Sequence, residues 1–305
     1  MSPAPTFSVV LLTQGNRPKE FRRNIERVRA QVLAPGQDVE IVVVVQPLSP
    51  HQLSMTDGKA QGPVEIPDGV TVIELPENLG IPGGRDVGWR KTHGDLVVFL
   101  DDDGWLPDDD SFARVFERFT GDARLGIVAF RIADPVTGAT ARRHVPRLRA
   151  ADPMRAGEVT AFLGGAWAIR REVLEQTGGL AAQFFFAHEE TDLAWKTLDR
   201  GWRIYYDPAA VLFHPTTSPA RHAEYYRTNA RNRVWLAKRN LPVPVGVAYL
   251  GVWVVLTLAR VHNPRALRTW FRGFAEGMRT DAGERRVMKW RTVWRMTRLG
   301  RPPVI

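Results

Sequence analysis

The sequence predicts an α/β domain built on a mostly parallel sheet, followed by a basic helical segment. Three observations carry this prediction: short β-branched runs that alternate with helical spacing, acidic residues directly after an apolar strand, and an uneven charge distribution. Continuous apolar runs are typical of parallel strands that are covered on both faces. The length of 305 residues allows one large domain or two modest ones.

The predicted strands are short apolar runs bounded by turn-forming residues. They lie at 7–12, 40–45, 70–75, 96–100, 128–132 and 203–213. The strand-helix-strand rhythm favours an α/β domain. A segment rich in Pro, Gly, Ser and Gln, residues 46–69, is expected to form a long surface loop.

The predicted helices follow from apolar spacing and capping residues. After a predicted cap at Asn16, apolar residues recur at helical spacing at positions 21, 25, 28 and 32. Residues 111–119 predict a short amphipathic helix. Residues 191–200 predict another, capped by Thr191 or Asp192 and ended by Gly201.

Composition excludes several classes of protein. Hydrophobic residues make up 44% and charged residues 25%, which argues against a mainly disordered chain and against a polytopic membrane protein. The chain has no cysteine, which excludes disulfides, thiolate metal sites and a cysteine nucleophile.

Charge divides the chain into two predicted parts. Residues 221–305 contain 18 Lys and Arg against 4 Asp and Glu, whereas residues 1–220 contain 24 against 29. Five of the 10 Trp residues also lie in 221–305. We therefore predict an α/β body over 1–220 and a basic, Trp-rich helical extension over 221–305. Such asymmetry points to a polyanionic partner, either nucleic acid or an anionic membrane surface.

The first candidate site is the run Asp101-Asp102-Asp103, directly after the apolar strand LVVFL. Carboxylates at the C-terminal end of a parallel strand lie where open α/β sheets bind ligands. Adjacent like charges repel unless they share a cation, and hard cations such as Mg²⁺ take carboxylate and phosphate oxygens. The alternative is a solvated acidic turn.

Two further clusters carry candidate chemistry. The acidic run 188–192, HEETD, follows three phenylalanines at a predicted helix N-terminus. Helix capping explains one or two of these acids, and a carboxylate beside an aromatic wall can act as a general base. The Gly-rich run 78–86, NLGIPGGRD, predicts a turn whose backbone N–H groups approach phosphates, with Arg85 adding charge; a plain turn is the alternative.

Taken together, these elements resemble the inverting family 2 glycosyltransferases of the GT-A fold, which is Rossmann-like, of the bacterial cell-envelope or polysaccharide type. The resemblance covers about residues 7–215 and rests on four ordered blocks: ENLGIPGGRDVGW, GDLVVFLDDDGWLP, FLGGAWAIRREVLEQTGGL and FFFAHEETDLAWKTLDRGWRIYYDPAAVLFHP. It implies transfer of a sugar from a nucleotide-sugar to an acceptor hydroxyl.

The resemblance also implies roles for the matching positions. Asp101 and Asp103 match the D-x-D pair that holds Mg²⁺ or Mn²⁺ on the nucleotide diphosphate, and His214 matches a histidine that completes the metal shell, unless it is an ordinary strand-end histidine. Glu190 matches the acid that deprotonates the acceptor. The implied nucleotide-sugar contacts are Thr13, Arg17, Gln46, Arg85, Asp101, Asp102 and Gly165, and the implied acceptor-side residues are Trp167, Glu189 and Asp192.

Some of these positions depart from the family or have structural alternatives. The family usually carries an Asp after the second strand that reads the nucleobase; Val45 stands there, with Gln46 next. The family's catalytic Asp is Glu190 here, one methylene longer. Trp167 and the pair Gly164-Gly165 are explained equally well by core packing.

Three other classes fit the sequence less well. An NAD-dependent dehydrogenase needs G-x-G-x-x-G after the first strand, where this chain has TQGNRP. A sugar-phosphate nucleotidylyltransferase needs a glycine-rich basic turn there, and only Arg17 and Lys19 supply charge. A nucleic-acid-binding protein would use the basic tail, but it leaves the acidic clusters unexplained.

The extension predicts contact with a membrane. The apolar run 245–259 is about 22 Å long as a helix, short of the roughly 30 Å hydrocarbon core, so we expect a buried or interfacial helix. Residues 264–279 place Leu267, Trp270, Phe271, Phe274 and Met278 at helical spacing among arginines, which is the pattern of an interfacial helix. We expect peripheral attachment to the cytoplasmic face of the membrane, a polyprenyl-linked or cell-envelope glycan acceptor, and no nucleic-acid partner. Packing of 264–279 on the body is the alternative.

Overall fold

The computed structural model describes residues 6–48, 65–148, 152–215 and 225–305, so the predicted boundary at 220/221 and most of the predicted 46–69 loop lie outside the described residues. The strands are β1 Phe7–Thr13, β2 Val39–Val45, β3 Thr71–Glu74, β4 Leu96–Asp101, β5 Leu125–Ala133, β6 Gly157–Val159, β7 Ala166–Arg170 and β8 Arg203–Phe213. The helices are α1 Pro18–Arg29, α2 Gly80–Trp89, α3 Ser111–Gly121, α4 Arg171–Thr177, α5 Glu189–Asp199, α6 Tyr225–Asn240, α7 Val243–Arg260, α8 Pro264–Arg279 and α9 Trp290–Arg298. Short 3₁₀ turns occupy Arg142–His144 and Ala182–Phe184.

The strands form one mixed sheet in the order β3-β2-β1-β4-β7-β5-β8-β6. β1 pairs in parallel with β2 and β4, β2 with β3, and β5 with β8. β7 runs antiparallel to β4 and β5, and β6 runs antiparallel to β8. The prediction of a mostly parallel α/β sheet is confirmed, and the carboxyl ends of β1, β2 and β4 meet at one edge.

Alternate residues of the central strands pack into two separate cores. On one face of the sheet, Val9 and Val98 pack with apolar residues of α1 and α3. On the other face, Val10 and Phe99 pack in a cluster that also contains residues of α2, α4, α5, α6, α7 and α9. This period-2 alternation places a helix layer on each face. The C-terminal helices therefore share a core with the sheet.

Helix α2 replaces the predicted glycine-rich turn at 78–86. Glycine lowers helix propensity, but here it lets the helix lie close to the sheet. A Cβ added to Gly84 would lie 2.4 Å from Leu12 Cδ1, and one added to Gly88 would lie 2.5 Å from Val10 Cγ1. Close packing, rather than a phosphate-binding turn, explains these glycines. The same packing leaves Arg85 on a helix that faces the strand ends.

Several local predictions need correction. Helix α1 ends at Arg29, so Val32 lies beyond it and is exposed, and the N-cap is Arg17 rather than Asn16. Helix α5 begins at Glu189, which places Thr191 and Asp192 inside the helix rather than at its cap. Strands β6 and β7 and helix α4 were not predicted, because strands as short as β6 and β7 carry little periodic signal.

Helix α8 packs directly against α6. A Cβ on Gly273 would lie 2.1 Å from the Arg227 carbonyl oxygen, and one on Gly277 would lie 2.8 Å from that of Arg231. Trp270 is buried, whereas Phe271 and Met278 are exposed. The predicted apolar face of 264–279 is therefore divided: part of it packs on α6 and part of it stays open.

Helix α7 has 18 residues and is, by length and composition alone, long and apolar enough to cross a membrane. Of this helix, 22% is buried inside the protein. Val245 and Tyr249 pack on the body, whereas Val247, Val255 and Leu258 are more than half exposed. The 245–259 run is thus a helix with one packed side and one open side.

Candidate active site

Two aspartates and a histidine converge where β4 and β8 end. Asp103 Oδ1 lies 2.9 Å from His214 Nε2, and Asp101 Oδ2 lies 3.7 Å from the same nitrogen. Ligand atoms of the three residues all lie within 4.8 Å of one another. His214 Nδ1 is 2.8 Å from the Pro215 carbonyl oxygen, which makes Nδ1 the donor and leaves Nε2 facing the carboxylates.

Burial and neighbouring charges have opposite effects on the pKa values of the three residues in this cluster. Burial disfavours the charged forms, but the Asp103–His214 hydrogen bond and the neighbouring carboxylates outweigh it and raise the pKa of His214 to about 9. For Asp103, burial is likewise outweighed by His214 and Arg17, so its pKa is lowered. Burial raises the pKa of Asp101 despite the opposing charge of Arg85. The positive charges of Arg17, Arg85 and His214 thus offset the repulsion between the two carboxylates. Two carboxylates and an imidazole at this spacing are suitable ligands for a divalent cation such as Mg²⁺ or Mn²⁺.

The turn after β1 holds the middle aspartate. Thr13 Oγ1 donates to Asp102 Oδ2 at 2.8 Å, and Arg17 Nη1 lies 3.3 Å from Asp102 Oδ1 and 2.5 Å from Asp103 Oδ2. Burial, opposed by these contacts, raises the pKa of Asp102 to about 6. The structure thus brings the predicted residues Thr13, Arg17 and Asp102 together.

Arg85 is 2% exposed although it carries a full charge. Its Nη2 donates to Asp101 Oδ1 at 2.6 Å and to the Gly164 carbonyl oxygen at 2.7 Å. Its Nε and Nη1 have no hydrogen-bond partner among the described residues. Buried donors without partners are costly, which favours an anionic ligand that completes the guanidinium's contacts.

Glu190 lies in the first turn of α5, across from Gly164. A Cβ added to Gly164 would lie 2.1 Å from Glu190 Oε1, so this carboxylate packs directly against the glycine. Burial raises the pKa of Glu190 against the charge of Arg85. Burial and the charge of Glu190 raise the pKa of Glu189 well above its usual range. A raised pKa moves a carboxylate toward the range of a general base.

Gln46 and Gly165 also lie at this edge. The Gln46 backbone N–H donates to the Thr13 carbonyl, and its buried Oε1 has no partner among the described residues. Gly165 accepts a backbone hydrogen bond from Asp101, and a Cβ there would lie 3.4 Å from Asp101 Oδ2. Both positions are compatible with the predicted donor site.

The structure places Trp167, predicted on the acceptor side, in the core. Its ring is fully buried and stacks on Phe99 at 4.2 Å between centroids, with Phe162 at 4.8 Å. Residues of β7 alternate between the two faces of the sheet, and Trp167 is on the face whose core also contains residues of α2, α4 and α5. The core-packing alternative explains this residue.

Asp192 and Glu189, also predicted on the acceptor side, are both buried. Asp192 is buried in an ion-pair cluster, 2.6 Å from Lys196 Nζ and 3.0 Å from Arg239 Nε, and Asn240 Nδ2 donates to it at 2.7 Å. Lys196 and Arg239 lower its pKa against the effect of burial. Asp192 therefore ties α5 to α6. Glu189 is 2% exposed whereas Glu190 is half-buried, so Glu190 is the more accessible of the two.

Two asparagines near the site have no sequence signal. Asn24 on α1 donates to the Asp101 carbonyl at 2.8 Å, and Asn232 on α6 donates to carbonyls just before α5. In the sequence each asparagine is surrounded by charged residues of a helix, a pattern that is typical of a solvent-exposed helix face. Only the fold brings them to the site.

A family model described as "Glycosyl transferase family 2" matches residues 8–178. The chain belongs to this family. The matched range includes Arg85 and Asp101–Asp103, whereas Glu190 and His214 lie beyond it on the elements that follow. Family 2 membership confirms the resemblance that the motifs indicate.

This family 2 chain is similar in sequence to a curated relative and similar in fold to two solved structures. It is 24% identical over 207 residues to the pre-mycofactocin glycosyltransferase of Mycobacterium tuberculosis, a match that covers 62% of this chain and only 42% of that relative. The mannosyltransferase PcManGT from Pyrobaculum calidifontis, solved with GDP-Man and Mn²⁺, superposes with a TM-score of 0.55 at 19% identity, over 92% of this chain and 77% of that one. S. aureus TarS 1–349 with UDP-GlcNAc gives a TM-score of 0.60 at 13% identity, over 90% and 80%. These structures share the fold.

Proposed function

We propose that the protein is an inverting, metal-dependent glycosyltransferase that moves a sugar from a nucleotide-sugar to an acceptor hydroxyl. One observation carries the proposal: Arg85 Nη2 bridges Asp101 and the Gly164 carbonyl, and Gly164 abuts Glu190. A candidate diphosphate-binding cluster and a candidate base therefore flank one buried guanidinium, two of whose nitrogens have no hydrogen-bond partner among the described residues.

The chain's own residues supply the steps of the reaction. Asp101, Asp103 and His214 would hold Mg²⁺ or Mn²⁺, which when bound neutralises charge on the leaving diphosphate. Arg85 binds a donor oxygen, and Glu190 accepts the proton of the acceptor hydroxyl as that oxygen attacks the anomeric carbon. The bond from the anomeric carbon to the phosphate oxygen breaks, and the nucleoside diphosphate leaves. A single displacement inverts the configuration.

Donor binding is testable without knowing the acceptor. Thermal unfolding is measured with UDP-glucose, UDP-GlcNAc and GDP-mannose, each with and without MnCl₂. A donor at about 100 times its Kd should stabilise the protein by about 2.7 kcal/mol. Asp103→Ala should remove the metal-dependent part of this shift, whereas Asp108→Ala, an exposed acid in the same loop, should retain it. Catalysed release of pyrophosphate from a nucleoside triphosphate and a sugar phosphate would instead identify a nucleotidylyltransferase.

We also propose peripheral attachment to the cytoplasmic face of an anionic membrane, which would place the site near a polyprenyl-linked or cell-envelope glycan acceptor. Exposed apolar residues of the C-terminal helices support this: Val247, Val255 and Leu258 on α7, and Trp290 and Trp294 on α9. The net charge of residues 221–305 is strongly positive, and basic residues near anionic lipid contribute about 1 kcal/mol each.

Vesicle co-sedimentation tests the membrane proposal with a matched pair of variants. Val255→Asp places a carboxylate on the open side of α7 and should weaken binding to phosphatidylglycerol vesicles by about tenfold or more. Val136→Asp changes a 90% exposed valine in the loop after β5 and should bind like the wild type. Binding should also weaken as salt rises. Equal recovery of the wild type in the supernatant with and without these vesicles would leave only packing as the role of the extension.

A further inference from the structure

We propose that Asn232, on helix α6, is a positioning residue for the turn that presents Glu190. The inference rests on the proposed function, in which Glu190 is the base. The turn, residues 184–188, connects the Ala182–Phe184 3₁₀ turn to the start of α5. Its conformation sets where α5 begins and so where the Glu190 carboxylate lies.

The turn is held in an unfavourable backbone conformation. Phe185, Ala187 and His188 have φ values of 60°, 69° and 74°, and they are the non-glycine residues with positive φ in the described ranges. Side chains with a Cβ rarely adopt this region, so three such residues within four positions need outside support. Strain of this kind persists where the surroundings over-determine it, and it clusters at active sites.

Asn232 supplies that support from one side. Its side chain is fully buried, and its Nδ2 lies 3.0 Å from the Phe184 carbonyl oxygen and 2.8 Å from those of Phe186 and Ala187. Arg231 Nε donates to Asn232 Oδ1 at 3.0 Å, which orients the amide with its nitrogen toward the turn. The two N–H bonds of this amide serve three carbonyls; the Phe184 carbonyl also accepts from Arg231 Nη2 and from the Phe186 N–H.

Helix α2 supports the same turn from the other side. The Ile81 backbone N–H donates to the Phe185 carbonyl at 2.9 Å, and a Cβ on Gly80 would lie 2.2 Å from that oxygen. The first turn of α2 also leads to Arg85, one helical turn further on. The turn therefore couples Arg85, on the donor side, to Glu190, on the acceptor side, and Asn232 fixes its position between them.

Asn240 provides a matched control on the same helix. It is also buried, and its Nδ2 donates to Asp192 Oδ1 and to the Leu236 carbonyl rather than to the turn. Loss of either amide removes buried hydrogen bonds between α6 and its surroundings. Only loss of Asn232 releases the carbonyls that precede Glu190. A general destabilisation of α6 would affect both variants alike.

The test measures nucleoside diphosphate release in the presence of MnCl₂ from whichever of UDP-glucose, UDP-GlcNAc and GDP-mannose the protein binds. Asn232→Ala should lower kcat by about 10- to 100-fold, because small misplacements of a reacting group cost this much, with the donor KM within about twofold of wild type. Hydrogen-deuterium exchange of a peptide covering 184–190 should accelerate. Asn240→Ala should lose thermal stability, with kcat and exchange at the turn near wild type.

Parallel variants separate the inference from the function on which it rests. Wild-type kcat in Asn232→Ala, or equal losses of kcat in Asn232→Ala and Asn240→Ala, would overturn the positioning role. If Glu190→Gln keeps full turnover, the assignment of the base fails, whereas the exchange measurement still reports on the turn. Should Asn232→Ala fail to fold, Gly80→Ala perturbs the same turn from α2 and should reproduce the selective loss of kcat; unchanged kcat there would count against the proposal.

Discussion

Replacing Glu190 with glutamine is expected to lower the turnover rate by about 10²–10⁴-fold, the usual effect of removing a general base, while donor binding survives. Glutamine keeps the shape that fits opposite Gly164 but cannot accept a proton. The rate of transfer and the donor Kd, measured on the same preparation, check both halves of this expectation. Glu117→Gln, which changes an exposed glutamate of α3, should behave like the wild type.

The pH dependence of the reaction has a defined sign. A base acts only when it is deprotonated, and burial raises the pKa of Glu190. The rate should therefore fall as pH decreases through a pKa above the ordinary value for glutamate, and this acidic limb should be absent in Glu190→Gln. If Glu189→Gln is inactive while Glu190→Gln remains active, Glu189 rather than Glu190 is the base. Asp192→Asn needs a melting curve alongside, because Asp192 belongs to the ion pairs that tie α5 to α6.

Replacing Asp103 with alanine is expected to abolish transfer and its dependence on a divalent cation. Asp103 contributes one of the carboxylates within 4.8 Å of the other ligand atoms, and its loss leaves Asp101 and His214 alone. The fold should persist, because Asp103 lies beside two other aspartates whose repulsion it increases. Of its two partners, Arg17 is partly open to solvent and can turn outward when the carboxylate is lost. Transfer is measured on metal-stripped protein before and after addition of MgCl₂ or MnCl₂.

Asp108→Ala is again the control for this experiment, since it removes an exposed acid from the same loop. Wild-type protein should lose activity in EDTA and regain it when the cation is restored. Full turnover in excess EDTA would contradict the metal requirement, and the Asp101–Asp103–His214 cluster would then be a structural ion pair.

The parts of the site that follow strands were predictable from sequence, because a buried strand carries a strong apolar signal and fixes what lies at its end. Asp101 is the last residue of β4 and His214 follows β8, and both stand where the pattern places them. Helix α2 was not predictable, since its glycines serve packing against Leu12 and Val10, which lie more than 70 positions away. The acidic run before and within α5 was informative about Glu190 but not about Asp192, whose partner Arg239 is 47 residues away.

Asn232 contacts the turn before Glu190 through main-chain carbonyls alone. The turn is therefore held through its backbone as well as through the buried Phe184 side chain. Its positive φ angles at 185 and 187 disfavour β-branched side chains there. Phe185 is exposed and its side chain makes none of these hydrogen bonds, so this position can take other unbranched side chains while the backbone hydrogen bonds that hold the turn remain.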